Sequence, residues 1–217
     1  MTAPIHFLHI GKTGGTALQS ALGPLAASYG LALHGHETIL RDIPEDQGVV
    51  FFIRHPITRF VSAFNSRLRM GRPRYDVRWT PEEEIAFATF KVPNELAEAL
   101  SSEDEGRREA AAAAMQGISH VKSPMGSWLE SESYVEARRA SIVYIGLQET
   151  LDEDFAKLRT ILGLPDSVRF PTDGIEAHVT PAGYDKTLSP LGMRNIARWY
   201  ERDVALYEFL TRFRSLG

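Results

Sequence analysis

The sequence predicts an α/β fold in which a central, mostly parallel sheet is flanked by helices. Three apolar runs of strand length carry that prediction: residues 5–10, 48–53 and 141–147. Each run is followed by a stretch with helical spacing of its apolar residues, the alternation that builds parallel sheets. A chain of 217 residues can close one such domain around a full core.

The first run, Ile5-His6-Phe7-Leu8-His9-Ile10, leads into Gly11-Lys12-Thr13-Gly14-Gly15-Thr16 and then into the first turns of a helix. Residues 31–36 follow, and if they are extended, His34 and His36 share one face. Residues 37–48 are polar, with Pro44 and Gly48, which suits a loop or a short irregular helix. The run Gly48-Val49-Val50-Phe51-Phe52-Ile53 is apolar throughout, as a strand covered on both faces requires. Arg54 and His55 stand at its end, and residues 58–69 read as a helix with Phe60, Val61, Phe64 and Leu68 on its apolar stripe.

Residues 54–78 hold seven arginines against one acid, Asp76, whereas residues 82–109 hold nine acids against three bases. The arginine block, broken by Gly71, Pro73 and Tyr75, reads as an anion-facing rim or as a solvated loop. Residues 81–116 look helical and open at Thr80-Pro81. Gly117, Pro124 and Gly126 interrupt the stretch to residue 133. Trp79 and Trp128 suit either a packed core or a ring-stacking contact. After the run at 141–147, a helix is expected over 151–162, with Thr150 and Glu153 at capping-box spacing. Residues 165–189 are turn-rich, and a last helix is expected from Ser189-Pro190 to about Arg212. Nothing in the composition marks a domain boundary, so one domain over 1–217 is expected, with 70–130 as a helical insertion on the acceptor side.

The net charge of −4 provides no general attraction to nucleic acid or acidic membranes. The chain has no cysteine, hence no disulfide and no thiolate chemistry. No apolar run of about 18 residues occurs, and a soluble, cytoplasmic protein without a membrane partner is the expectation. His34 and His36 lack a third ligand at informative spacing, so no metal site is expected.

A strand that passes through glycines into a helix start exposes backbone N–H groups, and the helix dipole adds to their pull on an anion. Lys12 contributes a charge, and Thr13 and Thr16 contribute hydroxyls. The motif departs from the nucleotide-triphosphate loop, because His6 stands where that loop needs its leading glycine and the glycines follow the lysine instead.

Residues 9–16, taken with Phe52-Ile53-Arg54-His55-Pro56-Ile57-Thr58-Arg59-Phe60-Val61-Ser62, resemble the paired cofactor motifs of the PAPS-dependent sulfotransferases, most nearly the carbohydrate branch with its heparan sulfate and uronosyl 2-O-sulfotransferases. His34-Gly35-His36, Tyr144–Glu149 and Tyr200–Asp203 extend the resemblance along most of the chain. It implies a P-loop-like three-layer sandwich, with PAPS as donor and PAP as product. It implies that Gly11, Lys12, Thr13, Gly14, Gly15 and Thr16 hold the 5′ end of the cofactor, and Arg54 and Ser62 its 3′-phosphate. Arg59 belongs to the same motif as a ligand contact or a loop support, and Tyr184 and Lys186 are the contact candidates on a late loop, 173–186, that would cover the nucleotide.

The expected reaction is sulfuryl transfer from PAPS to a hydroxyl of a saccharide or another small molecule. Lys12 would stabilise the leaving phosphate, and a histidine, His36 ahead of His34, would act as general base. A P-loop-like small-molecule kinase and a non-catalytic nucleotide- or anion-binding protein are the alternatives. The oligomeric state is not readable from these residues.

Overall fold

Four parallel strands form the sheet of this computed structural model, which describes residues 3–175 and 180–215. In chain order the elements are β1 (Ile5–Leu8), α1 (Gly15–Leu22), β2 (Leu31–Leu33), β3 (Gly48–Ile53), α2 (Pro56–Leu68), α3 (Pro81–Thr89), α4 (Pro93–Ala99), α5 (Glu105–Gly117), α6 (Gly126–Leu129), α7 (Glu132–Ala137), β4 (Ile142–Leu147), α8 (Leu151–Ile161), α9 (Pro190–Trp199) and α10 (Glu201–Phe213). The strand order is β2-β1-β3-β4, so β1 and β3 lie inside the sheet and take partners on both sides. The chain forms two compact units: one contains the described parts of Met1–Arg54, Met125–His178 and Ala205–Gly217, the other those of His55–Pro124 and Val179–Val204.

The first unit is a three-layer α/β sandwich. Alternation along the strands sends Leu8, Val49, Phe51, Ile53 and Ile145 to one face, where they pack with Met125, Trp128 and Leu129 and with Leu206, Leu210 and Phe213 of α10. Phe7, Val50 and Phe52 go to the other face, against Leu18 and Leu22 of α1 and Phe155 and Leu158 of α8. The expected capping box of α8 does not form. Thr150 makes no side-chain cap and instead donates its hydroxyl to Asp154 at 2.9 Å. Asp154 is buried and also accepts from Tyr144 Oη, the Leu147 N–H and both terminal nitrogens of Arg214. Burial pushes this carboxyl up, but the hydrogen bonds, that of Arg214 foremost, outweigh it and hold it at about 2.

The second unit is helical. Its core joins Phe60 and Phe64 of α2 to Phe87, Leu96, Met115 and Ile196. The single helical stretch expected over 81–116 is three helices. Pro93 cannot continue a helix, and Glu95 folds back to accept from the Lys91 and Val92 N–H groups at the start of α4. Asp104 accepts from the Arg107 N–H and starts α5 in the same way. The expected last helix is likewise two, with Tyr200 at the break and its hydroxyl bonded to the Val121 carbonyl.

The arginine block does not act as one rim. Arg67 is buried and grips Glu83 through Nε and Nη2 at 2.7 and 2.6 Å, and Glu83 also accepts from the Ser119 N–H. Arg72 pairs with Asp76 on the surface. Trp79 packs on Phe87 and donates to the Arg67 carbonyl, so it serves the core. Removing one partner of a buried pair strands the other charge. Arg67→Met is expected to lower stability by about 3–5 kcal/mol in denaturant unfolding, and the double change Arg67→Met/Glu83→Leu to recover much of it.

Candidate active site

The site grows from the turn between β1 and α1. Lys12 and Gly14 both adopt left-handed backbone conformations, with φ of 70° and 90°. The glycine adopts this freely, whereas the lysine holds it against its Cβ. The turn is tied from inside by Thr13, 1% exposed, whose hydroxyl donates to the Ile10 carbonyl at 2.8 Å. Thr16 keeps its side chain half-exposed on the first turn of α1. No side chain caps α1, and the first bond of the helix runs from the Leu18 N–H to the Gly14 carbonyl. The N–H groups of Gly15, Thr16 and Ala17 therefore precede the helical ladder, at the positive end of the dipole. Arg54, leaving β3, directs Nη1 to 3.4 Å from the Lys12 carbonyl, so Lys12 and Arg54 meet at one turn.

His9 is the residue around which the turn closes. A Cβ at position 15 would lie 2.1 Å from His9 Cδ2, so only glycine lets α1 start this close to the ring. Burial, and next the neighbouring His36, lower the His9 pKa to about 3 against a hydrogen bond to Gln19, leaving a neutral imidazole beside Lys12.

The two candidate bases differ. β2 ends at Leu33, ahead of both histidines, so they do not alternate along a strand as expected. His34 is half-buried, and its Nε2 meets His6 Nδ1 at 2.7 Å with the rings stacked. Its Nδ1 faces the Thr38 hydroxyl, and His6 Nε2 faces Gln47 Oε1. One proton order satisfies the row: Thr38 donates to His34, His34 to His6 and His6 to Gln47. Burial, and next the His6 ring, lower the His34 pKa.

His36 is exposed, and its ring lies 4.0 Å from that of His9, centroid to centroid. Its Nδ1 is 3.2 Å from the His9 carbonyl, which accepts only from a protonated nitrogen, so in the neutral ring the lone pair sits on Nε2. The backbone of the segment is held at both ends, since Gln19 Nε2 donates to the His34 carbonyl at 2.6 Å and Trp128 Nε1 to the His36 carbonyl at 2.9 Å. Gln19 and Trp128 carry no sequence signal for this task, because each meets its partner only through the fold.

The remaining residues of the sequence reading belong to the second unit. Ser62 is half-buried on α2. Arg59 is 3% exposed, donates to the Ser123 carbonyl at 2.8 Å and sits beside Asp203, which makes it a support of its own unit's interior. Tyr184 is half-buried and Lys186 is exposed, while residues 176–179 of the expected covering loop lie outside the described residues. Among the described residues no group of three or more potential metal ligands gathers, and no helix is long and apolar enough to cross a membrane.

Two outcomes test this geometry. Gly15→Ala overpacks the turn and is expected to cost about 1–3 kcal/mol in thermal unfolding, with most of the loss relieved when His9→Ala is added. His9 titrates near 3 when folded and near 6.5 when unfolded, so its contribution is complete above about pH 6.5 and fades as pH falls toward 3. The stability of His9→Asn should fall less across that window.

No curated protein matches the chain. A model of the Sulfotransferase family matches residues 36–210, beginning at His36 and running through β3, β4 and α8 into α10. By that match across most of its length, the chain belongs to the sulfotransferase family.

Proposed function

We propose that the chain moves the sulfuryl group of PAPS to a hydroxyl on a saccharide or another small molecule, with His36 as general base and Lys12 as the cation at the leaving phosphate. Sulfotransferase activity and PAPS as donor follow from the family. The acceptor and the residue roles are the reading offered here. The observation that carries it is the 3.2 Å contact of His36 Nδ1 with the His9 carbonyl, which in the neutral ring places the basic lone pair on Nε2.

The residues of the turn suit a phosphosulfate. Two left-handed residues and an uncapped helix start supply backbone donors, with Lys12 and the Arg54 guanidinium adjacent. Gly11, Gly14, Gly15 and Thr16 would hold the 5′ end through backbone and hydroxyl. Thr13 would contribute its N–H, since its hydroxyl already serves the turn. In the second unit Ser62 remains the motif residue proposed for the 3′-phosphate. Arg59 is assigned to support of that motif, and Tyr184 and Lys186 are kept as contacts of the covering segment.

Bound PAPS supplies an electrophilic sulfur and a phosphate leaving group. His36 Nε2 would take the acceptor hydroxyl's proton, and the positive charge then formed on the ring would rest on the Nδ1–H hydrogen bond to the His9 carbonyl. Lys12 and the N–H groups of the turn would meet the negative charge that grows on phosphate oxygen, where fixed donors are worth most. His34 has both ring nitrogens engaged and positions His36 through the two-residue link.

His36→Ala is expected to lower the rate of transfer from saturating labelled PAPS by about 10²–10⁴-fold while leaving PAP affinity within a few-fold of wild type. Lys12→Ala should lose about 10²–10³-fold in kcat. His34→Ala should lower the Tm more than it lowers the rate, and a His36→Ala enzyme with wild-type turnover would remove the base assignment.

A further inference from the structure

The α2 helix carries a polar face that the turn and the histidines do not use. Asn65 and Arg69 are one helical turn apart and share a side of the helix. Among the described residues, Arg69 is 5% exposed and its Nε and Nη1 have no hydrogen-bond partner, and Asn65 is 1% exposed and its Oδ1 has none either. The Asn65 amide spends Nδ2 on the Asp185 carbonyl at 2.7 Å, and the Tyr184 ring stands 6.0 Å from Arg69 Cζ. Residues 184–185 thus cover this part of the helix.

Groups in that state are costly in a folded interior. A buried guanidinium stays protonated and lacks an acceptor of its own, so it is destabilising until an anion meets it. Burial lowers the pKa of Arg69 and the Tyr184 hydroxyl acts against that; among the described residues no carboxylate takes the part that Glu83 plays for Arg67 two residues earlier. The orphaned acceptor one turn away asks for the opposite partner, a hydroxyl or amide hydrogen.

We propose that this face of α2 is a subsite for an oxyanion with a neighbouring hydroxyl, Arg69 donating to the oxyanion and Asn65 Oδ1 accepting from the hydroxyl. The ligand enters as the 184–185 segment swings off the helix, and Tyr184 then closes over it. Two ligands of a sulfotransferase carry that pair of groups: the 3′-phosphate of the donor beside its ribose 2′-hydroxyl, and the carboxylate of an acidic sugar beside its ring hydroxyls. The proposal rests on the sulfotransferase reading only for which of them supplies the oxyanion.

Calorimetric titration of the full chain with PAP, AMP and glucuronate separates the sources, using wild type, Arg69→Gln and Arg69→Met. Arg69→Met removes the buried charge and keeps an apolar stem, so it should remain folded with an equal or higher Tm. If the donor's phosphate is the anion, both variants weaken PAP about tenfold or more and leave AMP unchanged. If an acidic acceptor is the anion, PAP holds and glucuronate binding to PAP-saturated protein is lost. Either pattern supports the subsite. Wild-type affinities for all three ligands in both folded variants, or a wild type that shows neither a 3′-phosphate preference nor glucuronate binding, overturn it. Failure of the functional reading is seen separately, as a wild type that binds glucuronate through Arg69 yet has no affinity for PAP and no transfer from PAPS.

Discussion

The seat of the His9 ring against the alpha carbon of Gly15 is the contact on which the candidate site depends. It brings the start of α1, whose first amides precede the helical ladder, close to the end of β1. It also fixes the carbonyl that His36 uses, because the same residue offers its ring to the turn and its backbone oxygen to the base candidate. A charged His9 would repel Lys12 and the protonated form of His36. Burial removes that charge and keeps the position compatible with cations on either side.

Around this contact the histidines differ in their neighbours. His6 and His34 lie in a hydrogen-bonded row that ends at Gln47, and each uses both ring nitrogens within it. His36 is held at its backbone by Trp128 and at one nitrogen by His9, which orients the other. The difference lies in which nitrogen has a proton to give and which has a lone pair, and that is set by neighbours far away in sequence.

The arginines divide by the same logic. Arg67, Arg138 and Arg214 are matched inside their own units: Arg67 by Glu83, Arg138 by the carbonyls of Leu40, Ile43 and Pro44, and Arg214 by Asp154. These charges hold loops and termini to the body of each unit. Arg54 ends beside the backbone of the turn between β1 and α1. A count of basic residues along 54–78 treats Arg54 and Arg67 alike, although their partners differ.

Much was legible in the amino-acid order. Apolar runs of strand length made β1, β3 and β4 readable, β3 most plainly because a strand covered on both faces has no polar side to show, and the glycine-rich turn announced a helix start. The helices over 81–117 were legible as helical but not as three, because Pro93 and Asp104 act through local capping that a broad periodicity averages away. What the chain order could not decide was pairing. That Thr13 turns inward, that Arg67 belongs to Glu83, that His34 meets His6 while His36 meets the His9 carbonyl, and that Gln19 and Trp128 clamp the segment between them all follow from side chains brought together by the fold. Residue type and spacing set which chemistry was possible, and tertiary contact determined which atoms were left to perform it.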